Sequence, residues 1–232
     1  MHDTSVKKNE FFKLAPSILT ADFACLGQEV SKIEDTAHYL HIDVMDGYLV
    51  PHISMGIPII KSMRKRSNLF FDVHLMTRNP LNHIESFAKA GADGITFHFE
   101  SYGNKEDRRD TIKLIKEHKK RVGIAIQPDT EVNEVLPFIN MVDMVLIMSV
   151  EPGFGGQKFI YENLAKAKKI KDYIKSYEIN IDIQMDGGIN IENIRDVLTS
   201  GVNIPVVGSA IFNAKDAKAE ALKYIEVMGE FI

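Results

Sequence analysis

A single cysteine, Cys25, stands in 232 residues, so no internal disulfide can form and the chain suits a reducing compartment. Basic charge is not in excess. Lys and Arg total 28 against 32 Asp and Glu, a net charge of −4, which argues against a nucleic-acid binder, because phosphate backbones demand a basic surface. No apolar run approaches the ~18 residues a membrane span needs, and residues 1–10 lack the apolar core of a secretory leader. The N-terminus reads instead as a polar extension over residues 1–12. No Walker sequence is present, so no nucleotide is implied, and no linker, low-complexity tract or composition break divides the chain. These absences leave the expectation of one globular, cytoplasmic domain without nucleic-acid or membrane partners. The 45% hydrophobic content suffices for a full core at a length ordinary for an α/β barrel, roughly 200–250 residues.

What is present is a regular alternation. Short β-rich runs are expected at 14–18, 39–44, 69–75, 94–99, 122–126, 141–148, 181–185 and 204–207. Several are apolar almost throughout, as a strand covered on both faces must be. Amphipathic segments such as 81–90, 108–119, 159–174 and 191–199 lie between them. Strict β–α alternation implies a parallel sheet, and about eight units imply closure into a single (β/α)8 TIM barrel. The unusual residues follow the strands, whereas the opposite ends carry ordinary turns such as Lys89-Ala90-Gly91-Ala92-Asp93. The functional face is therefore expected beyond the strand C-termini.

Four side chains share that expected rim: His41 and Asp43 in the run Tyr39-Leu40-His41-Ile42-Asp43-Val44-Met45, His74 in Phe71-Asp72-Val73-His74-Leu75-Met76, and Asp186 before Gly187-Gly188. Two imidazoles and two carboxylates suit a tetrahedral site for a divalent ion, and the two carboxylates also suit a pair of bases. Asp43 alternates with His41 and Met45 on one strand face. An inward Asp is costly to bury unless a metal or hydrogen bonds compensate. Asp46, before Gly47, reads as a turn residue. His98 and Glu100 repeat the spacing more weakly and are expected in a structural or rim role. Met45, Met76 and Met148 fall at the same mouth, where they fill the core or keep water from a reactive intermediate.

Three glycine loops follow the last three expected strands: Gly153-Phe154-Gly155-Gly156, Asp186-Gly187-Gly188 and Gly208-Ser209. Singly they are explained by tight turns. Together on one rim they favour an anion site, as barrels often bind phosphate beyond strands seven and eight. The loops contain no lysine, so backbone amides would do the binding.

These residues, in this order, make the chain resemble the ribulose-phosphate 3-epimerases from about residue 14 to 211. The resemblance rests on Ala15-Pro16-Ser17-Ile18-Leu19-Thr20-Ala21-Asp22-Phe23, the run from His41 to Asp46-Gly47, Asp72-Val73-His74-Leu75-Met76, Met148-Ser149-Val150-Glu151-Pro152-Gly153-Phe154-Gly155-Gly156-Gln157, Asp186-Gly187-Gly188-Ile189 and Gly208-Ser209-Ala210-Ile211-Phe212. It implies a metal-dependent barrel of pentose phosphate metabolism that interconverts ribulose 5-phosphate and xylulose 5-phosphate through a metal-stabilised enediolate. It implies one divalent ion (Zn, Fe, Mn or Co) on His41, Asp43, His74 and Asp186, with Asp43 and Asp186 as the acid/base pair. Ser17 is implied as a substrate contact, joined in the expected substrate site by His74, the three methionines and the glycine loops. A homo-oligomer is the family habit.

Departures from the family pattern are His52, Met55-Gly56-Ile57-Pro58, Tyr48-Leu49, Gln127 and Met185, all expected on or near the rim, where they bear on sugar preference and subunit contacts. A sister group acting on allulose 6-phosphate tends to carry Ser after Asp-Gly and Ala in the loop matching 153–156. Gly188 and Gly155 favour the pentulose. A metal-dependent hydrolase and a non-catalytic sugar-phosphate-binding barrel are the competing expectations. The hydrolase has no need of a second base, and a passive binder gains nothing from two buried carboxylates.

Overall fold

A computed structural model of the chain describes residues 11–231. Eight parallel strands follow one another around a barrel: β1 (Ala15–Pro16), β2 (Tyr39–Met45), β3 (Phe70–Met76), β4 (Gly94–His98), β5 (Arg121–Ile126), β6 (Met144–Met148), β7 (Asp182–Asp186) and β8 (Ile204–Val207). Hydrogen bonding runs β1-β8-β7-β6-β5-β4-β3-β2. The circle closes where Ser17 bridges His41 in parallel and the amides of His38 and Tyr39 donate to the Leu14 carbonyl. This is the expected (β/α)8 architecture. Residues 1–10 of the expected N-terminal extension lie outside the described residues, and Phe12, at its edge, is buried in the core.

Helices cover the outer face: α1 (Leu26–Ile33), α2 (Ile57–Arg64), α3 (Ile84–Ala90), α4 (Lys105–Glu117), α5 (Val132–Val135), α6 (Leu164–Ser176), α7 (Ile194–Thr199), α8 (Ser209–Phe212) and α9 (Ala217–Gly229). Strand side chains alternate between two environments because successive Cβ atoms point to opposite sheet faces. On β2, Leu40, Ile42 and Val44 join the large core between sheet and helices, while Tyr39, His41, Asp43 and Met45 do not. On β3 the outward set is Phe71, Val73 and Leu75. Fully burying one such aliphatic or aromatic side chain contributes about 1.5–3 kcal/mol, so this layer is the main source of stability.

The inward set is mixed in polarity and ordered along the barrel axis. At the N-terminal end of the strands, Asp182 accepts from Lys13 (3.0 Å), Arg121 (2.8 Å) and Asn203 (2.6 Å), and Arg121 also donates to the Tyr39 hydroxyl (2.8 Å). Tyr39 stacks on Phe70 with centroids 4.3 Å apart. Midway, Asp72 accepts from Gln184 Nε2 at 2.7 Å. Gly123 faces Thr96 so closely that a Cβ there would lie 2.1 Å from Thr96 Oγ1. The C-terminal ends carry Asp43, His74, His98, Met148 and Asp186.

Asp182 gives a direct test of the polar plug at the N-terminal end. Burial alone would raise its pKa, but hydrogen bonds from Asn203 and Arg121 and the charges of Arg121 and Lys13 hold it below its usual 3.8. A depressed native pKa contributes stability that is fully present above the unfolded value and lost as pH falls through the native one. Asp182→Asn is expected to be less stable than the parent chain at pH 7. The gap should narrow as pH drops below about 4, read by denaturant melts across pH. A gap constant with pH would mean that the carboxylate charge contributes nothing.

Candidate active site

The register of β2 and β3 decides which side chains meet. His41 pairs with Asp72 and Asp43 pairs with His74 across the parallel ladder, so the strand pairing itself sets four polar inward residues side by side. His41 Nδ1 lies 2.8 Å from Asp72 Oδ2, which turns its Nε2 toward the barrel mouth. That Nε2 is 3.3 Å from Asp43 Oδ1, 3.3 Å from His74 Nδ1 and 3.8 Å from Asp186 Oδ2. His74 Nδ1 is also 3.0 Å from Asp43 Oδ1. One donor atom from each of His41, Asp43, His74 and Asp186 lies within 4.8 Å of the others. The four residues expected at the rim do converge.

Both histidines have a second partner behind them. Asp72 stands behind His41, and His98 Nε2 stands 2.9 Å from His74 Nε2. Asp72 was not among the expected site residues, although Asp72, His74 and Met76 repeat the inward alternation of His41, Asp43 and Met45. Ser17 Oγ donates to Asp43 Oδ2 at 2.5 Å, leaving Oδ1 for the histidines. Asp46 shapes its turn as expected, accepting from the amides of Tyr48, Leu49 and Arg78.

Electrostatics separate the groups. Burial would raise the Asp43 carboxyl, but His41 and His74 outweigh it and hold the group well below the usual carboxylate range. Asp186 goes the other way: burial and the nearby Asp43 carboxylate push it up to about 7, against a smaller opposing pull from His41. Burial works against charge on His41, yet Asp43 and Asp72 raise it well above 6.5. Burial first, then the repulsion of His98 and His41, bring His74 down to about 4 despite its bond to Asp43. Two carboxylates with opposed proton preferences thus share one site.

Above this cluster opens a cavity of ≈ 320 Å³. Ser17, Asp43, Met45, Met76, Met148 and Asp186 form its inner wall. Its outer wall is Gly153, Phe154, Gly155, Gly156, Gly187, Gly188, Gly208 and Ser209. All three glycine loops therefore reach one cavity, and all three methionines border the carboxylates. His41 and His74 are fully buried and line none of it, so His74, expected at the substrate as well, sits behind Asp43. The cavity also takes in Leu19, Thr20, Val150, Asn190 and Asn213, which the sequence did not single out. Of the departures from the family pattern, Tyr48 and His52 are exposed, and His52 lies 5.5 Å from the Phe154 ring. Met185 corrects the expectation of a rim position: it points outward into the core between strands and helices.

A model of the ribulose-phosphate 3 epimerase family matches residues 13–212. The chain belongs to this family. It is 41% identical over 208 residues to the ribulose-phosphate 3-epimerase, cytoplasmic isoform, of Oryza sativa subsp. japonica, covering 88% of this chain and 89% of the relative. It is 40% identical over 216 residues to the ribulose-phosphate 3-epimerase of Aquifex aeolicus, covering 93% and 96%. Among solved structures, a 3-hexulose-6-phosphate synthase superposes with a TM-score of 0.71 at 18% identity, over 92% of this chain and 98% of the other. That last likeness concerns the fold alone.

The loop after β7 is set by backbone geometry that only glycine tolerates well. Gly187 and Gly188 have φ of +122° and +66°. A Cβ on Gly188 would lie 2.6 Å from the Phe159 amide nitrogen and 2.9 Å from the Gln157 carbonyl oxygen. Ser149 fastens the same loop by donating its hydroxyl to the carbonyls of Asp186 (2.9 Å) and Gly187 (2.7 Å), and Asn193 donates to the Gly188 carbonyl at 3.0 Å. Gly188→Ala should therefore lower the melting temperature measurably, since a strained backbone residue costs about 1–3 kcal/mol. An unchanged melt would mean that residues 157–159 yield without cost.

Proposed function

We propose that the protein is a metal-dependent 3-epimerase interconverting ribulose 5-phosphate and xylulose 5-phosphate. The observation that carries this reading is the pair of carboxylates, Asp43 and Asp186, facing one cavity among donors suited to a divalent ion. Asp43, Asp72 and Asp186 cluster in a buried site with no lysine or arginine paired to them among the described residues. Such a concentration of carboxylates favours a bound cation. His41, Asp43, His74 and Asp186 would hold it, and this N₂O₂ set suits Zn(II), Fe(II), Mn(II) or Co(II). When bound, the ion supplies positive charge that stabilises the enediolate as the proton leaves C3.

The chain's own residues do the rest. Asp43, ionised and fixed by Ser17, takes the C3 proton from ribulose 5-phosphate. Asp186 returns a proton to the opposite face, and the roles reverse for xylulose 5-phosphate. β2 and β7 are separated by β1 and β8, so the two carboxylates approach from different sides, as inversion requires. Met45, Met76 and Met148 surround the reacting carbon with apolar surface and exclude water. Backbone amides at Gly155, Gly156, Gly187, Gly188, Gly208 and Ser209 hold the phosphate.

Naming of the relatives as ribulose-phosphate 3-epimerases supports the pentulose, as do Gly155 and Gly188. A Cβ at 155 would lie 2.5 Å from Thr20 Cγ2, and position 188 is closed by backbone. The reading carries with it a cytoplasmic location, the compartment printed in the rice relative's name. It also carries self-association, for which exposed Tyr48, Ile53 and Phe154 offer apolar rim surface.

The deciding experiment follows C3 by NMR in D₂O with ribulose 5-phosphate and, separately, allulose 6-phosphate. Epimerisation with deuterium incorporation is expected for the pentulose. It should vanish on chelation and return on adding back a divalent ion. Asp43→Asn and Asp186→Asn should each lose about 10²–10⁴ in kcat, the scale of a general acid or base. Near-parental turnover by either variant with metal bound would refute the two-base assignment. Gly188→Leu, in a variant that still folds, should raise KM strongly, and a normal KM would remove that loop from the phosphate site.

A further inference from the structure

His98 and Glu100 lie outside the cavity, and the chemistry proposed above does not use them. Both are nevertheless part of a continuous chain of hydrogen bonds that starts on the buried His74. His74 Nε2 and His98 Nε2 are 2.9 Å apart, and His98 Nδ1 is 3.1 Å from Glu100 Oε2. The other carboxylate oxygen, Glu100 Oε1, accepts from the Gln127 amide at 2.9 Å and from the Thr130 hydroxyl. The loop supplying those two donors is pinned in turn by Lys166 of α6. Its ammonium donates to the carbonyls of Gln127 (3.1 Å), Pro128 and Thr130 (2.8 Å).

Only one proton fits between the two facing Nε2 atoms, and an ion held by the site would decide which ring carries it. His74 Nδ1 lies 3.0 Å from Asp43 Oδ1, among the donors of the proposed ion, and with the ion bound it presents its lone pair to the ion in place of a hydrogen to Asp43. A neutral imidazole with a lone pair on Nδ1 has its hydrogen on Nε2. His98 must then accept on Nε2 and carry its own hydrogen on Nδ1, where Glu100 receives it. Glu100 closes the chain as an ionised acceptor held by two further donors. Every bond in the sequence runs toward Glu100, and none competes with the ion for His74 Nδ1.

From this we infer that His98 and Glu100 are positioning residues that fix the tautomer of His74 and strengthen its hold on the ion, with the 127–130 loop and Lys166 holding Glu100 in place. The inference rests on the metal-site reading above. The two histidine donors are then supported differently: His41 by a carboxylate in direct contact, Asp72, and His74 by a carboxylate acting through a second imidazole. Outer partners of this kind orient ligating histidines and raise their basicity, and their loss typically weakens metal binding 10–100-fold. The loop after β5, remote from the cavity, thereby acquires a function.

The test loads the full-length protein with Co(II) alone and measures its dissociation constant by competition with a chromophoric chelator, alongside the cobalt visible spectrum. Glu100→Gln is expected to weaken cobalt binding about tenfold or more and to alter the spectrum. His98→Gln keeps a carbonyl acceptor for His74 Nε2–H and should retain more affinity than His98→Leu. Long-range ¹H–¹⁵N spectra of the zinc-loaded parent should place the His74 hydrogen on Nε2. Turnover at saturating metal should recover substantially in Glu100→Gln, since no group in the cavity has changed. Folded Glu100→Gln and His98→Leu proteins that bind cobalt within twofold of the parent would overturn the inference. So would a His74 hydrogen found on Nδ1, or an equal loss of affinity in Met228→Ala, a core variant on the distant α9. Failure of the parent itself to take up cobalt would instead bring down the metal-site reading, and this inference with it.

Discussion

Three clustered carboxylates in the upper half of the barrel, with no lysine or arginine paired to them among the described residues, form the constraint on which the rest of the structure depends. Like charges in a low-dielectric interior repel strongly, and each is costly to desolvate. The N-terminal end of the same barrel meets this problem in the ordinary way, surrounding Asp182 with Arg121, Lys13 and Asn203. The C-terminal end uses histidines. Asp43 and Asp72 drive His41 toward its charged form, and Asp186 is left inclined to hold a proton. His74, brought down to about 4, stays neutral, the state in which an imidazole donates a lone pair. A fixed guanidinium would neutralise the site and end its chemistry. A proton or an exchangeable cation neutralises it while leaving the carboxylates able to react.

Much of this was legible in the sequence because parallel strands buried on both faces leave apolar runs, and β2 displayed its alternation openly. The four donors were found because two of them lie on that strand, Asp186 ends β7 and His74 stands two residues before the end of β3. Asp72 was missed for a physical reason: its importance comes from its register opposite His41, and register between strands is a tertiary property. The first strand was expected over 14–18 but its regular part is Ala15–Pro16, because Ile18 to Thr20 turn into a 3-10 helix capped by Ser17. The same Ser17 closes the barrel against His41 and binds Asp43. The helix expected from 159 begins at Leu164, since the amide of Ile160 is committed to the Ser149 carbonyl beside the β7 loop.

The glycines were legible as loops and their common rim was expected, yet what packs against each was not visible. At Gly155 and Gly208 the neighbour is Thr20, a residue some 130 and more positions away in sequence that reaches both loops. At Gly188 it is the backbone of residues 157–159. The loops after β6, β7 and β8 and the segment after β1 are therefore packed against one another, which only the closure of the sheet between β8 and β1 makes possible. Sequence shows that a loop can approach a ligand; closure decides which loops approach the same one.

Division of labour between strands and loops follows from these two kinds of packing. The groups that would move protons, Asp43 and Asp186, belong to strands whose ladders fix them to neighbours, and Asp43 is further tied by Ser17. Proton transfer requires placement to within a fraction of an ångström, which a ladder provides. Phosphate recognition tolerates more movement, because several amides share one diffuse anion, and glycine loops suit that task. The hydrogen-bonded chain from His74 to Lys166 extends the same logic outward. An imidazole on a strand is held in position along its backbone but not in rotation or tautomer. Fixing those takes a partner on the next strand, and that partner needs an anchor of its own. The chain of partners ends where a carboxylate meets backbone amide and hydroxyl donors on a loop whose carbonyls Lys166 binds.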